Sequence, residues 1–280
     1  MASAPPEIFA RTRRRLRRDR AAARFVEHAF LVDAIGDEIM DRLDDVTRRF
    51  DHALDLGCHD GRLGARLKAR GMRVTSADAG FRFAQATGGV QCDEDRLPFA
   101  DRSFDLVVSA GVLDQVNDIP GALALIRRVL KPDGLFLAGF VGAGSLPVLR
   151  EVMMAADLAA DRGVGPRIHP QIDVRAAGDL LHRAGFVMPV ADSLPLAVRY
   201  GDPVRLMHDV RGLAGANLLA DGGRAPLTRI GLAAARALFA HGSDADGRRA
   251  ETFELLFMTG WSPDPSTAPR PPKSPPRRIF

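Results

Sequence analysis

An α/β fold, with a mostly parallel sheet and helices on both faces, is what this sequence predicts. Short apolar strands alternate with helix-periodic segments from residue 31 to 141. The strand Ala53-Leu54-Asp55-Leu56 breaks at Gly57 and Gly61 and feeds a helix-compatible run. Successive strands also leave on acidic residues, Asp78 and then Asp93-Glu94.

Leu31, Ile35, Ile39, Leu43 and Val46 form an apolar stripe at helical spacing. The first strand follows at about 52–56. The helix after it spans 62–70 and ends at Gly71, a plausible cap. Residues 72–77 form a second strand, closed by Asp78. Residues 80–87 are helical up to the break at Gly88-Gly89, and 90–94 form a short third strand. Phe104 to Ser109 is the fourth. Ile119, Leu123, Ile126 and Leu130 mark a helix, and Lys131-Pro132-Asp133-Gly134 reads as a turn. Leu135 to Val141 is a buried strand. Beyond residue 142 the order is less regular, with helices near 145–160, 174–184, 203–214 and 226–240. Strand-like segments lie near 186–199 and 251–260. Seven prolines among the last nineteen residues predict a disordered or extended tail over 262–280.

The 280 residues, 46% apolar, suffice for one large domain with additions. No apolar run approaches the roughly 18 residues that span a bilayer. The longest is Gly134–Val141. Cys58 and Cys92 are too few for a disulfide framework or a zinc site, and no other cluster has metal-ligand spacing. A reducing compartment is expected. The N-terminus shows no apolar signal-peptide core.

The net charge of +4 sits at the ends. Residues 1–24 carry eight Arg against Glu7 and Asp19, or +6. Residues 262–280 carry +3, which leaves the residues between at −5. The basic arm, 1–30, has three readings: a contact for an acidic partner, nucleic acid or a membrane surface, an Arg- and Ala-rich targeting presequence, or a solvated helix face. Its arginines have no aromatics among them before Phe25, so no nucleic acid partner is expected.

A strand that ends in a glycine turn and opens a helix offers backbone N–H groups and a close-approach surface to a nucleotide-like ligand. Asp78, 21 residues beyond Gly57, can accept both hydroxyls of a ribose. Asp93 can accept an exocyclic adenine amine. The three strand ends describe an adenosine-shaped site. It is not the G-x-G-x-x-G dinucleotide fingerprint, because His59 holds the middle position, and no Lys-Ser/Thr pair makes a phosphate loop. The blander readings are a plain tight turn at Gly57 and Gly61 and a solvated acidic loop at Asp93-Glu94-Asp95. Asp105 reads as structural. His59 is a ligand contact, a general base or a surface turn, with the surface turn favoured. His169 is a base or a surface histidine. The sole Tyr200 and sole Trp261 read as packing residues, with Tyr200 also able to position a substrate.

The ordered segments Asp55–Gly61, Asp78, Cys92-Asp-Glu-Asp-Arg-Leu-Pro-Phe99, Ser103–Val108 and Leu130-Lys-Pro-Asp-Gly134 resemble class I S-adenosylmethionine (SAM)-dependent methyltransferases of the type 11 group, over about 45–145. Ile8-Phe9-Ala-Arg11, Val116–Pro120, Gly165–Pro170, Gly185-Phe186, Asn217 and Met258–Trp261 resemble, more narrowly, the respiratory complex I assembly factor 5 family. The resemblance implies a Rossmann-like seven-stranded sheet with helical additions after the fifth strand. It implies a domain over 31–261, with a SAM-binding core at 45–145 and substrate or lid additions at 142–250.

By the same resemblance Asp55, Gly57, Cys58, His59 and Gly61 line the methionine part of SAM. Asp78 with Ala79 takes the ribose, Asp93 and Glu94 the adenine, and Ser109, Ala110 and Gly111 pass beneath the sulfonium. His59 departs from the family's glycine. Asp114-Gln115 stands where relatives carry His-Trp or His-His. Asp114, His169 and Tyr200 are the catalytic candidates. The implied activity is methyl transfer to an unidentified acceptor. The alternative is a complex I assembly role, since the mitochondrial member hydroxylates an arginine of a complex I subunit. Malonyl-carrier-protein O-methyltransferases are also kin.

Overall fold

A computed structural model describes residues 7–161, 163, 165–220, 226–264 and 266. Seven strands make one sheet: β1 (His52–Leu56), β2 (Arg73–Asp78), β3 (Val90–Gln91), β4 (Phe104–Ala110), β5 (Leu130–Val141), β6 (Val187–Tyr200) and β7 (Arg249–Trp261). Their order is β3-β2-β1-β4-β5-β7-β6. The first five pair in parallel, and β7 runs antiparallel between β5 and β6. The chain order reverses between β1 and β4, so the crevice outside their carboxyl ends is where an open α/β sheet takes a ligand.

Helices cover both faces. On one face α2 (Phe30–Asp44) and α3 (Arg62–Ala69) bury Ile35, Ile39, Leu63 and Leu67 against Val108 and Leu137 of the sheet. On the other, α5 (Ile119–Val129) and α7 (Val174–Arg183) bury Leu123, Ile126 and Leu181 against Leu54, Leu56 and Phe136. All seven residues of β4 are buried, as a central parallel strand requires. The remaining helices are α1 (Arg11–Ala22), α4 (Phe81–Thr87), α6 (Pro147–Ala159), α8 (Pro203–Gly212) and α9 (Arg229–His241). Side chains of Asp118, Asp173, Asp202 and Thr228 cap α5, α7, α8 and α9.

Three expectations are corrected. Residues 131–134 are not a free turn but the start of β5. Asp133 takes φ 58° as a local irregularity, its N–H held by the Ser262 carbonyl, and the ladder to β4 shifts register there. The third strand shrinks to Val90–Gln91, because the chain turns inward with Asp93 and Glu94. The basic arm is not a separate solvated element. Its helix, α1, lies on the body, tied by a β-bridge from Phe9 to Leu219 and by the Asn117 side chain, which bonds both the N–H and the carbonyl of Phe9. The proline tail lies almost wholly outside the described residues. Among those described, no helix is long and apolar enough to cross a membrane.

Candidate functional site

The strand ends converge as expected. Gly57 leaves β1 at φ 79°, and a Cβ there would sit 2.4 Å from the Val112 side chain. Glycine is therefore needed twice over, for its backbone and for its space. Asp78 ends β2, fully buried. Ser109 and Ala110 end β4 and pass into Gly111 at φ 70°.

The loop N–H groups are not free, however. Those of Gly57 and Cys58 both donate to the Ala77 carbonyl, at 2.8 and 3.0 Å, and that of His59 donates to Asp78 at 3.1 Å. Buried backbone donors are nearly always paired, and this loop pairs them internally.

The acidic strand ends are engaged by α1. Arg11, Arg14, Arg15 and Arg18 recur at spacings of three and four and so share one helical face. Arg14 makes a two-pronged pair with Glu94, at 2.6 and 2.8 Å, and Arg11 another with Asp95, at 2.6 Å for both contacts. Arg15 reaches Asp93 at 2.6 Å. Arg18, 0% exposed, donates to both oxygens of Asp78 at 2.7 and 2.5 Å. Asp78 also accepts from the Gly80 and His59 N–H groups, so the roughly four acceptor directions of a carboxylate are used. Asp93, Glu94 and Asp95 are thus ion-paired in the interior, not a solvated loop. Asp19 anchors the same helix by accepting from the Arg82 N–H in α4.

His59 is 2% exposed, which corrects the surface-turn reading. It takes φ 48°, where the family glycine would be unstrained. Its ring stacks on Phe25 at 4.7 Å, with planes 12° apart, and its Nε2 bonds the Ala110 carbonyl at 2.8 Å. Burial and then the Arg18 charge lower its pKa to about 3, so it is neutral at physiological pH. The His59 ring and the guanidinium groups of Arg14 and Arg18 therefore stand among the residues expected to receive an adenosyl ligand. The cavity between Arg14, Asp93 and Gln115 is only about 10 Å³. A drug-sized ligand needs a pocket of several hundred Å³. The donor and acceptor chemistry suits ribose and adenine, while the space belongs to α1.

Asp55 is buried below the turn. Desolvation raises its pKa to about 7, against the opposing effect of the Gly64 N–H. Cys58 and Cys92 are buried free thiols, with pKa values raised first by burial and then by neighbouring carboxylates. They are poor nucleophiles.

Beside this charged half lies an apolar one. Val32, Ile35, Gly111, Val141 and Phe253 line a cavity of about 50 Å³, together with Asp114, Gln115 and His169. His169 Nε2 and Asp114 Oδ2 are 3.2 Å apart, and the edge of Phe9 packs on the imidazole. His169 is thus a buried histidine, not a surface one. Asp114 Oδ1, Gln115 Oε1 and Ser109 Oγ are buried without hydrogen-bond partners. Tyr200 does not join them: it lines a separate surface cleft with Arg24, His28 and Asp209. Trp261 packs near Phe50, with ring centroids 6.4 Å apart. Asp105 is structural as expected, accepting from the N–H groups of Asp51 and His52 and pairing with Lys131.

The acids at 78 and 93–95 stand out in the sequence, and their arginine partners on α1 do not. The spacing of Arg11, Arg14, Arg15 and Arg18 puts them on one helical face, but nothing local to it names Asp78 or the acids at 93–95 as their partners.

A methyltransferase domain model matches residues 54–138. The arginine-hydroxylase NDUFAF5, mitochondrial, of Danio rerio is 34% identical over 273 residues, spanning 93% of this chain and 84% of that protein. Its Homo sapiens counterpart is 34% identical over 83% of this chain and 70% of that protein. A malonyl-[acyl-carrier protein] O-methyltransferase of Methylovorus is 30% identical, covering 89% and 88%. Among solved structures, the 1,6-didemethyltoxoflavin-N1-methyltransferase of Burkholderia thailandensis, with S-adenosylhomocysteine bound, aligns with a TM-score of 0.51. The match has 17% identity and covers 94% of both chains. A methyltransferase from Bacillus halodurans aligns at 0.53, with 16% identity over 81% of this chain and 99% of that one. These two likenesses support the fold alone. The chain belongs to the NDUFAF5 family and is, by domain and fold, a class I SAM-dependent methyltransferase with SAM as its cofactor.

Proposed function

We propose that this protein transfers a methyl group to an acceptor seated in the apolar half of the cleft, and that residues 142–250 supply the walls and lid of that half. The observation that supports this is one juxtaposition. Gly57, Asp78 and Asp93, at or just beyond the ends of β1, β2 and β3, adjoin, through Gly111, a largely apolar cavity edged by Asp114 and His169. SAM supplies a methyl carbon already activated towards displacement. The protein's own work is to align a nucleophile and exclude water.

Leu31, Val32, Ile35 and Phe253 exclude water and hold the apolar body of the acceptor. The acceptor's N–H or O–H must lose its proton during transfer, and the hydrogen-bonded Asp114–His169 pair is placed to take it. Calorimetric titration with S-adenosylhomocysteine should give a saturable heat, and labelled methyl from SAM should enter a cell-extract fraction. Asp114→Asn should remove the transfer while leaving the heat unchanged. Absence of both heat and transfer in wild type ends this reading.

A second reading is favoured by the 34% identity that runs along 93% of the chain to a mitochondrial arginine-hydroxylase. In it the protein modifies or holds a subunit of respiratory complex I, in the matrix of a mitochondrion or at the cytoplasmic side of a bacterial membrane. Mass spectrometry of those subunits from a deletion strain separates the two readings. Loss of one methylene mass supports methylation, and loss of one oxygen mass supports hydroxylation.

A further inference from the structure

Resting on the SAM-binding reading above, we infer that the strand-end carboxylates form a guanidinium site, and that α1 is a ligand held there in cis, in competition with the adenosyl group. Four arginines on one helical face meet four carboxylates at the ends of β2 and β3. The pairs are not a surface ornament. Arg14 and Arg18 are buried, as are Asp78, Asp93 and Glu94. Asp78 has no acceptor direction left for a ribose hydroxyl while Arg18 and the His59 N–H hold it.

Occupation is also incomplete in chemical terms. Arg14 Nε and Arg18 Nη1 are buried donors without hydrogen-bond partners. Each lost hydrogen bond lowers the worth of the closed state. The guanidinium groups are therefore weaker occupants than their number suggests, as a displaceable ligand must be. Displacement has a route. Beyond α1 the chain is fixed at Phe9, through Asn117 and Leu219, and at Phe25, through His59. Between these points, among the described residues, the chain is bonded to the body by the Ala10 N–H on the Leu218 carbonyl, by Asp19 on the Arg82 N–H, and by the arginines, which reach the acids, His59 and the Val112 and Leu219 carbonyls. The helix can lift between two tethers while the sheet stays intact.

Competition makes a quantitative demand. If the site is open in a fraction f of molecules, the apparent Kd is the intrinsic Kd divided by f. The full-length double variant Arg14→Gln, Arg18→Met should bind S-adenosylhomocysteine at least tenfold tighter than wild type, by calorimetry at constant salt. An equal Kd would overturn the inference and leave the SAM reading standing. Weaker binding by the variant would overturn it too, by making the arginines part of the ligand's own site. No binding by a variant that still melts cooperatively would end both.

Hydrogen exchange on the unsubstituted protein is a second test, free of any folding defect. Saturating S-adenosylhomocysteine should speed exchange of the amides in 11–22 at least several-fold while slowing those in 57–64. Slower exchange in 11–22 would overturn the inference.

Discussion

The two halves of the cleft solve the burial of polar groups in opposite ways. In the charged half, Asp78, Asp93 and Glu94 are buried and each is matched by an arginine of α1. In the apolar half, Asp114 shares one oxygen with His169 while its other oxygen and Gln115 Oε1 go unmatched among apolar walls. A matched buried charge is stable only while its partner stays, and an unmatched acceptor favours any donor that arrives. The first half is closed by its own partners, and the second is left with unmatched acceptors.

The largest effect should come from breaking a matched pair on one side only. Asp78→Ala strands the buried Arg18 guanidinium, and the fold should lose about 3–5 kcal/mol in urea unfolding. Asp78→Ala combined with Arg18→Met removes both charges, and most of that loss should return. If the double variant is no more stable than Asp78→Ala, the pair is not the source of the loss.

Next in size is the titration of Asp55. Its pKa, raised to about 7 by burial, lies above the ordinary carboxylate value of 3.8. The folded chain therefore binds the extra proton between these limits. The Asp55 contribution is fully present below about pH 4 and is lost as pH rises through 7. Three units correspond to at most about 4 kcal/mol. Subtracting the wild-type stability curve from that of Asp55→Asn should give a difference that grows in favour of Asn from pH 4 to pH 8. A flat difference would place Asp55 in contact with water.

Third comes the turn that leaves β1. Gly57→Ala forces a Cβ to 2.4 Å from Val112 and into a positive φ, and should cost about 2–3 kcal/mol. Val112→Ala in the same chain should recover only the steric part.

The contrast also explains what the sequence could and could not say. Asp78 and Asp93 were legible because a strand and its first turn are local, and the spacing from Gly57 survives folding. The strand order, with β7 between β5 and β6, follows from a resemblance rather than from periodicity. The fate of α1 was hidden for a physical reason. A run of arginine normally stays in water, since burying a charge costs several kcal/mol unless a partner meets it. The partners sit some eighty residues away at 93–95, and only the sheet brings them beneath the helix. The burial of His169 was hidden in the same way. Nothing within 165–170 announces Asp114, 55 residues distant, or the edge of Phe9.

The smallest expected effect discriminates best between the halves. Asp114→Asn keeps the size of the side chain and an oxygen for His169, and it replaces an unmatched carboxylate oxygen with an amide group. Breaking a matched pair is costly, whereas altering an unmatched one is not, so stability should change by less than about 1 kcal/mol. Methyl transfer should nevertheless fall steeply, because an amide in place of the carboxylate can neither take the acceptor's proton nor balance the charge of a ring that does. A drop in stability as large as that of Asp78→Ala would mean that Asp114 is held by partners as Asp78 is, and the asymmetry between the halves would disappear.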